Sequence, residues 1–517
     1  MVAASDPPQT AADYAELLPP EFRTFLAAPV PQSVTIRGAP GVGKTTFALG
    51  ALAASPGPKL LVSTRVPLAG LRRQFGWLET AAGREIDLLE FVRFRSVPSS
   101  GALNIDHLRQ TLQARASDLV DVSQVLNLPP VLQERLTSSP DPPRLIVVDS
   151  WEAWVENVLG SSAINLDQPT TRWELERTML DELLATGASV LMVVERDERT
   201  RFDYIADGSV LLSASELEGR EERWFEITKL RGIRIRSRSY PFTLEGARFR
   251  AIAPAPSWQI GPPRSEPDPS PQTPTLWPGS TAFASQFGRL GLSGPVLVET
   301  DAETPARTLW AFVAPILESA LLSGGHALVR PPAIIGAQDV WATVASAAPP
   351  ADLEGRLQVV VPLGSAIPPG SPPTVFSFDD GLASPEPAPS GEGRGPSPPV
   401  DLAALFPGGP TAGGHNLLLV FPSTMEDRTA EHRLDRYLAL AGRARRAGVA
   451  FTSVVVTRSD DPFLHETQAR APIHVATRTR RGQVFVYGIR PWTPLMVFRP
   501  GPIDEGPAAP YELISMV

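Results

Sequence analysis

Eight consecutive residues near the start of the chain are arranged for phosphate chemistry: Gly38-Ala39-Pro40-Gly41-Val42-Gly43-Lys44-Thr45. Glycines at this spacing let the backbone curl until successive N–H groups point at one anion, and a helix opening there adds positive potential. Lys44 has the reach for the terminal phosphates of a nucleotide, the Thr45 hydroxyl is a magnesium ligand, and Thr46 completes the contact stretch. An acid is in place further along: the apolar run Leu145-Ile146-Val147-Val148 ends in Asp149, which suits the residue that holds magnesium through water. Together these positions predict bound ATP with Mg2+.

The elements that must hold them are legible. Ser33–Arg37 reads as a strand and Lys44–Ala54 as a helix, the strand–loop–helix setting that the motif requires. Lys59–Thr64, Arg144–Val148 and Ser189–Val194 read as further strands, and Trp173–Ala185 as a helix. Asp106–Leu136 is helix-rich, the pattern of an inserted hairpin. Alternating strand and helix patterns predict an α/β fold with a mostly parallel central sheet.

With 517 residues, 43% of them hydrophobic and 20% charged, the chain has material for more than one core. We expect a tail over 1–20, a nucleotide-binding domain over 21–253 and a proline-rich linker over 254–285. A second α/β domain follows over 286–500, then a tail over 501–517. Its expected strands are Pro295–Val298, Leu357–Val361, Leu417–Phe421, Ala450–Val456 and Gln483–Tyr487; its helices are Ala306–Leu322 and Ala430–Arg446. Within it, 384–410 is too rich in Pro, Gly and Ser to offset its ordering entropy, and is expected to be disordered.

Composition excludes several chemistries. There is no cysteine, hence no disulfide scaffold, thiolate metal site or cysteine nucleophile. The six histidines show no metal spacing, and a net charge of -9 argues against a dedicated nucleic-acid coat. No secretory leader and no membrane-length apolar run is visible, so the expected location is the cytoplasm. Lysine occurs only at Lys44, Lys59 and Lys229 among 47 basic residues. A position that does carry lysine is therefore informative.

Beyond the loop, the segments Gly38–Leu52, Asp149-Ser150, Tyr204-Ile205-Ala206-Asp207-Gly208, Phe225–Gly232 and Tyr240-Pro241-Phe242 resemble, in order, the KaiC-type RecA-like ATPases over roughly residues 20–253. Overall length and layout are also similar to the GvpD gas-vesicle regulators. The resemblance implies a homo-oligomer with ATP between subunits. A K-x-R-G segment of one subunit, here Lys229 and Arg231, would then touch the phosphates held by the next. Two cations against a γ-phosphate would neutralise charge developing in transfer, whereas a solvated basic strand edge is the plainer reading.

The pattern breaks where that family carries two acids after its second strand. Here Thr64 and Arg65 stand there, and neither acts as a general base near neutral pH. Glu152 or Glu195, both near strand ends, are substitute candidates, although each also reads as an ion-pair partner. In the second half, Glu299–Pro305 has no glycine and no lysine, and Val420 runs into Phe421-Pro422 in place of an acid. That half reads as a degenerate RecA-like domain, with an unrelated α/β domain as the alternative. Arg443, Arg445, Arg446, Arg478, Arg480 and Arg481 could face solvent, a ligand or a protein partner.

Three functions fit: a regulator whose nucleotide occupancy sets assembly or partner binding with slow turnover, an active ATPase motor, or a RadA-like mediator on single-stranded DNA. The last would want a basic, aromatic loop after Asp149. Trp151–Thr171 has Trp151 and Trp154 but is acidic, with Glu152, Glu156 and Asp167 and no Lys or Arg.

Overall fold

The computed structural model of the chain describes residues 10–90, 143–159, 169–195, 202–254, 265–271, 273, 275–291, 294–332, 334–345, 353, 355–361, 375–377, 415–421, 451–461, 463–501 and 510–516. The expected hairpin at Asp106–Leu136, the helix at Ala430–Arg446, the 384–410 loop and the arginines at 443, 445 and 446 lie outside them. The chain divides into two compact units, with the break between Ala253 and Pro254.

The first unit holds β1 (Ser33–Arg37), β2 (Lys59–Ser63), β3 (Ile86–Glu90), β4 (Leu145–Asp149), β5 (Ser189–Val193), β6 (Gly208–Leu217), β7 (Arg220–Leu230), β8 (Ser239–Thr243) and β9 (Arg250–Ala251). Their order in the sheet is β3-β2-β4-β5-β1-β6-β7-β8-β9. From β3 to β6 all neighbours are parallel; β6, β7, β8 and β9 pair antiparallel. Continuous apolar runs mark strands covered on both faces, and side chains alternate accordingly. Leu61, Val147 and Leu191 belong to the core cluster that contains α3 (Lys44–Ala54). Leu60, Val62, Ile146, Val148 and Met192 pack instead with Trp151, Trp154, Met179 and Leu183.

Helix α3 buries Phe47, Ala48, Leu49, Ala51, Leu52 and Ala53, the profile of a helix sunk in a core rather than lying on one. It stops at Ser55, which is extended because Pro56 disfavours the helical region for the residue before it. Ahead of β1, α1 (Ala11–Glu16) is closed by a capping box between Thr10 and Asp13. Its buried Tyr14 packs on Trp77, with 5.1 Å between ring centroids. The stretch expected as an N-terminal tail is thus structured from Thr10 onward. Buried Tyr14 and Leu18 do this together, and two residues leave no sustained periodic signal.

The second unit holds β10 (Pro295–Thr300), β11 (Ala327–Arg330), β12 (Leu357–Val361), β13 (Val375–Ser377), β14 (Asn416–Val420), β15 (Phe451–Arg458), β16 (Ile473–Arg480), β17 (Gln483–Arg490), β18 (Met496–Pro500) and β19 (Tyr511–Ser515). Their order is β13-β12-β11-β14-β15-β10-β16-β17-β18-β19. Setting aside the edge strand β13, this is the plan of the first unit strand for strand. The likeness reaches single residues. In the first sheet, Ser209 faces Lys229, then the register slips and Val210 faces Ile227; in the second, His474 faces Arg490, then Val475 faces Gly488. The second domain is RecA-like in topology, and the alternative of an unrelated α/β fold falls.

Two boundaries need correction. From Ser265 the expected linker is built into the second unit: Leu276 and Leu290 bond to each other's backbone, and Arg289 holds Asp268 through two bonds of 2.7 and 2.6 Å. Phe283 of the helix Thr281–Phe287 is buried. The expected C-terminal tail supplies β19, whose Tyr511 stacks on Phe312 and Phe498 at 5.5 and 5.1 Å. One stretch buries Leu276, Trp277, Phe283, Phe287 and Leu290 and the other Tyr511, Ile514 and Met516, next to prolines and glycines that cut short any regular period.

Candidate functional site

The loop between β1 and α3 has the backbone that its glycines permit. Gly38 adopts φ 147°, and a Cβ there would stand 2.3 Å from the Leu212 carbonyl oxygen of β6. Gly43, at φ 105°, caps α3 in the left-handed region that side chains avoid. Lys44 Nζ lies over the loop, donating to the carbonyls of Gly38 at 2.5 Å and Ala39 at 2.9 Å. Ala39, Pro40 and Gly41 are exposed at the loop's crest, while Val42 is buried beneath and Thr46 faces the core.

Thr45 and Asp149, separated by 104 positions, meet: Thr45 Oγ1 donates to Asp149 Oδ2 at 2.6 Å. Burial pushes the Asp149 carboxyl above its ordinary range; the Thr45 hydrogen bond and the Lys44 and Arg65 charges oppose this, and Glu195 adds to it. A divalent cation would relieve such a carboxylate, and a hydroxyl beside a carboxylate is the oxygen donor set that magnesium takes. Thr45 and Asp149 therefore fit the ion. Among the described residues no three His, Cys, Asp or Glu side chains cluster as a metal cage, so phosphates and water would complete its shell.

The residues after β2 have work that the sequence did not reveal. Thr64 staples β2 to the end of β4: its hydroxyl accepts from Ser150 N at 2.8 Å and contacts the Asp149 carbonyl at 3.0 Å, to which Thr64 N also donates at 2.8 Å. Arg65 pairs with Glu195, Nη1 to Oε1 at 2.5 Å. Glu152, at the start of the helix Trp151–Leu159, accepts from Glu195 N at 3.1 Å. The two substitute acids thus adjoin one another near Asp149, with Glu195 held by a cation.

Lys229 and Arg231 lie elsewhere. β7 runs antiparallel to β6, and Lys229 faces Ser209, so it stands at the end of the sheet where the parallel strands begin. The phosphate loop follows the opposite end of β1. Lys229 Nζ donates to the carbonyls of Asp203, Tyr204 and Ala206 at 3.2, 3.2 and 2.6 Å, closing the short helix Phe202–Ile205. Arg231 pairs with Asp207 at 3.1 Å. Burial, then the Arg231 charge, pushes the Lys229 ammonium below its usual range.

Sequence reasoning missed three supports. Arg37, buried at the end of β1, pairs with Asp203 at 3.1 Å and ties that helix beneath the loop strand. Leu244 backs Gly43, and Arg223 of β7 approaches the Val42 carbonyl at 3.4 Å. Arginine is the default cation of this chain, so nothing marked the last.

In the second unit the corresponding loop is shut by its own acids. Asp301 accepts from the loop amide Thr304 N at 2.8 Å and from Thr479 N of β16 at 2.7 Å, so a side-chain carboxylate occupies a loop amide and ties the loop to β16. Glu299 is buried against His474, at 3.0 Å, and Arg478. Burial alone would raise its pKa, but the bonds from His474 and Arg478 outweigh this and hold it low. Arg478 is thereby an internal partner; Arg480 and Arg481 are exposed. By register, Phe421 stands where the first unit has Asp149.

Strand order, glycine loop, paired Thr45 and Asp149 and the Lys44 ammonium define a RecA-like P-loop nucleotide-binding unit. Residues 27–253 match the family model described as "ATPase: KaiC", and the first unit is a KaiC-type RecA-like ATPase domain. The chain is 28% identical over 239 residues to Protein GvpD2 of Halobacterium salinarum, covering 46% of this chain and 44% of that protein. It is 27% identical over 241 residues to Protein GvpD1 of the same organism, covering 46% and 41%. The match spans less than half the length of either relative. A solved KaiC-like protein of Pyrococcus horikoshii OT3 aligns at 18% identity, TM-score 0.29, over 43% of this chain and 89% of its own.

Proposed function

We propose that the protein is an ATP-binding regulator in which nucleotide occupancy controls self-assembly or partner binding, while hydrolysis is slow. The observation that carries this is the contrast within one site. Lys44, Thr45 and Asp149 are prepared for Mg2+ and phosphate. The positions after β2 are a backbone staple, Thr64, and a cation, Arg65. Binding keeps its determinants, but the attacking water lacks a ready base there, and such a loss costs about 10²–10⁴-fold in rate. Thr45 and Asp149 would hold magnesium, which would supply charge neutralisation to the terminal phosphates.

The location of Lys229 and Arg231, remote from the loop of their own unit, supports their acting on a nucleotide held by a second copy. Trp151 and Trp154 are buried and stack on each other at 5.0 Å, so they offer no platform for bases. Among the described residues no helix is long and apolar enough to cross a membrane. The test is light scattering after size exclusion, with and without ATP and magnesium, with phosphate release measured on the same sample. We expect a larger species with ATP, lost in Lys44→Ala, and turnover well below the roughly 1 per second of working enzymes. Turnover at ordinary enzyme rates would overturn this reading in favour of a motor using Glu195 or Glu152.

A further inference from the structure

The ion pair between Arg65 and Glu195 lies beside the phosphate loop's acid, Asp149. Arg65 follows β2 and Glu195 follows β5, the strands on either side of β4. Ser63, Asp149 and Val193 share one register row, so the pair reaches across the end of β4, where Asp149 lies. Thr64, the residue before Arg65, bonds to the Asp149 carbonyl through both its amide and its hydroxyl. The guanidinium thus projects from a backbone held beside the spot that Lys44, Thr45 and Asp149 prepare.

The two partners differ in freedom. Glu195 is anchored through its backbone to Glu152, and its side chain is 32% exposed; the Arg65 side chain is 56% exposed. Thr64 pins the backbone from which Arg65 projects. Arg65 can therefore swing on a fixed base without opening the core.

We propose that Arg65 is a γ-phosphate sensor acting in cis: its guanidinium holds Glu195 when ADP is bound and exchanges that carboxylate for a γ-phosphate oxygen when ATP is bound. Guanidinium recognises carboxylate and phosphate with the same fork of donors, and the more highly charged terminal phosphate competes well for it. No bond is made or broken. The exchange unlinks the segment after β2, which leads into the helix Leu68–Gln74, from the end of β5. It rests on the ATP-binding reading and gives that reading its switch.

The test is calorimetric titration of the full-length protein with magnesium and either ADP or a non-hydrolysable ATP analogue, for wild type, Arg65→Ala, Arg65→Lys and Glu195→Gln. Arg65→Ala is expected to weaken the analogue about tenfold, the loss of a charged hydrogen bond, and to leave ADP unchanged. Arg65→Lys should fall between. Glu195→Gln should tighten the analogue, because it removes the competing carboxylate. Opposite signs for the two members of one ion pair are the signature; a merely structural pair moves ADP and analogue together. An unchanged analogue-to-ADP ratio in every variant overturns the sensor alone. Wild type that binds neither nucleotide overturns the ATP-binding reading beneath it.

Discussion

At the scale of single residues, Asp149 sets stability against function. Its folded-state pKa lies above the unfolded value because burial disfavours the charged form. An acid shifted upward stabilises the fold when protonated, and that contribution is lost as pH rises through the folded pKa. At neutral pH the ionised group is therefore a liability without a cation. Asp149→Asn should raise the melting temperature of the nucleotide-free protein while weakening magnesium-dependent ATP binding about 10–100-fold, the scale for an outer ligand; thermal melts with and without Mg-ATP check both. Lys44, Thr45 and Asp149 were legible because spacing and strand context specify them. Thr64 was legible only as a missing acid. Residue type says what a side chain cannot do, and its direction, which gives Thr64 a structural task, comes from how β2 and β4 pair.

At the scale of elements, that staple is the joint between the second strand and the acid-bearing one. Thr64→Val keeps shape and β propensity but leaves Ser150 N without its acceptor. A buried donor so orphaned costs about 1–3 kcal/mol. We expect a matching loss in chemical denaturation, with weaker nucleotide binding because Asp149 is one residue away. A Glu at 64 would have to break the same joint, so any gain in turnover from restoring an acid there comes with a loss of order. Continuous apolar runs announced the central strands, as buried parallel strands do. Other elements did not announce themselves: β11 has only four residues, and the segments around Leu276 and Tyr511 are anchored by a few buried residues set among prolines and glycines rather than by a sustained period.

At the scale of the molecule, one strand plan occurs twice, and the loop after β1 has glycines and a lysine where the loop after β10 has neither. Titration of the full chain should therefore give one nucleotide per chain. Asp301→Gly, which removes the acceptor bonded to the amides of Thr304 and Thr479, should not create a second site, because Phe421 stands where the magnesium acid would be. A stoichiometry near two in wild type would show that the second loop binds in spite of its acids. The division of labour was half visible beforehand: missing glycines and lysine could be read directly, but a shared register slip exists only between paired strands.

Lys229 carries a last consequence, in the kinetics of exchange rather than in affinity. Its ammonium now satisfies three carbonyls at the end of a four-residue helix. An ammonium drawn onto a neighbour's phosphate must release them, which frees the carbonyl end of the helix while Asp203 stays held by Arg37, Thr35 and Ser209. Assembly would then loosen what it touches: deuterium uptake around Phe202–Asp207 would rise as ATP binds, while the loop at Gly38–Thr45 becomes protected. Opposite changes at the two ends of one sheet would mark a subunit engaged with another, and would separate it from one that has merely bound its ligand.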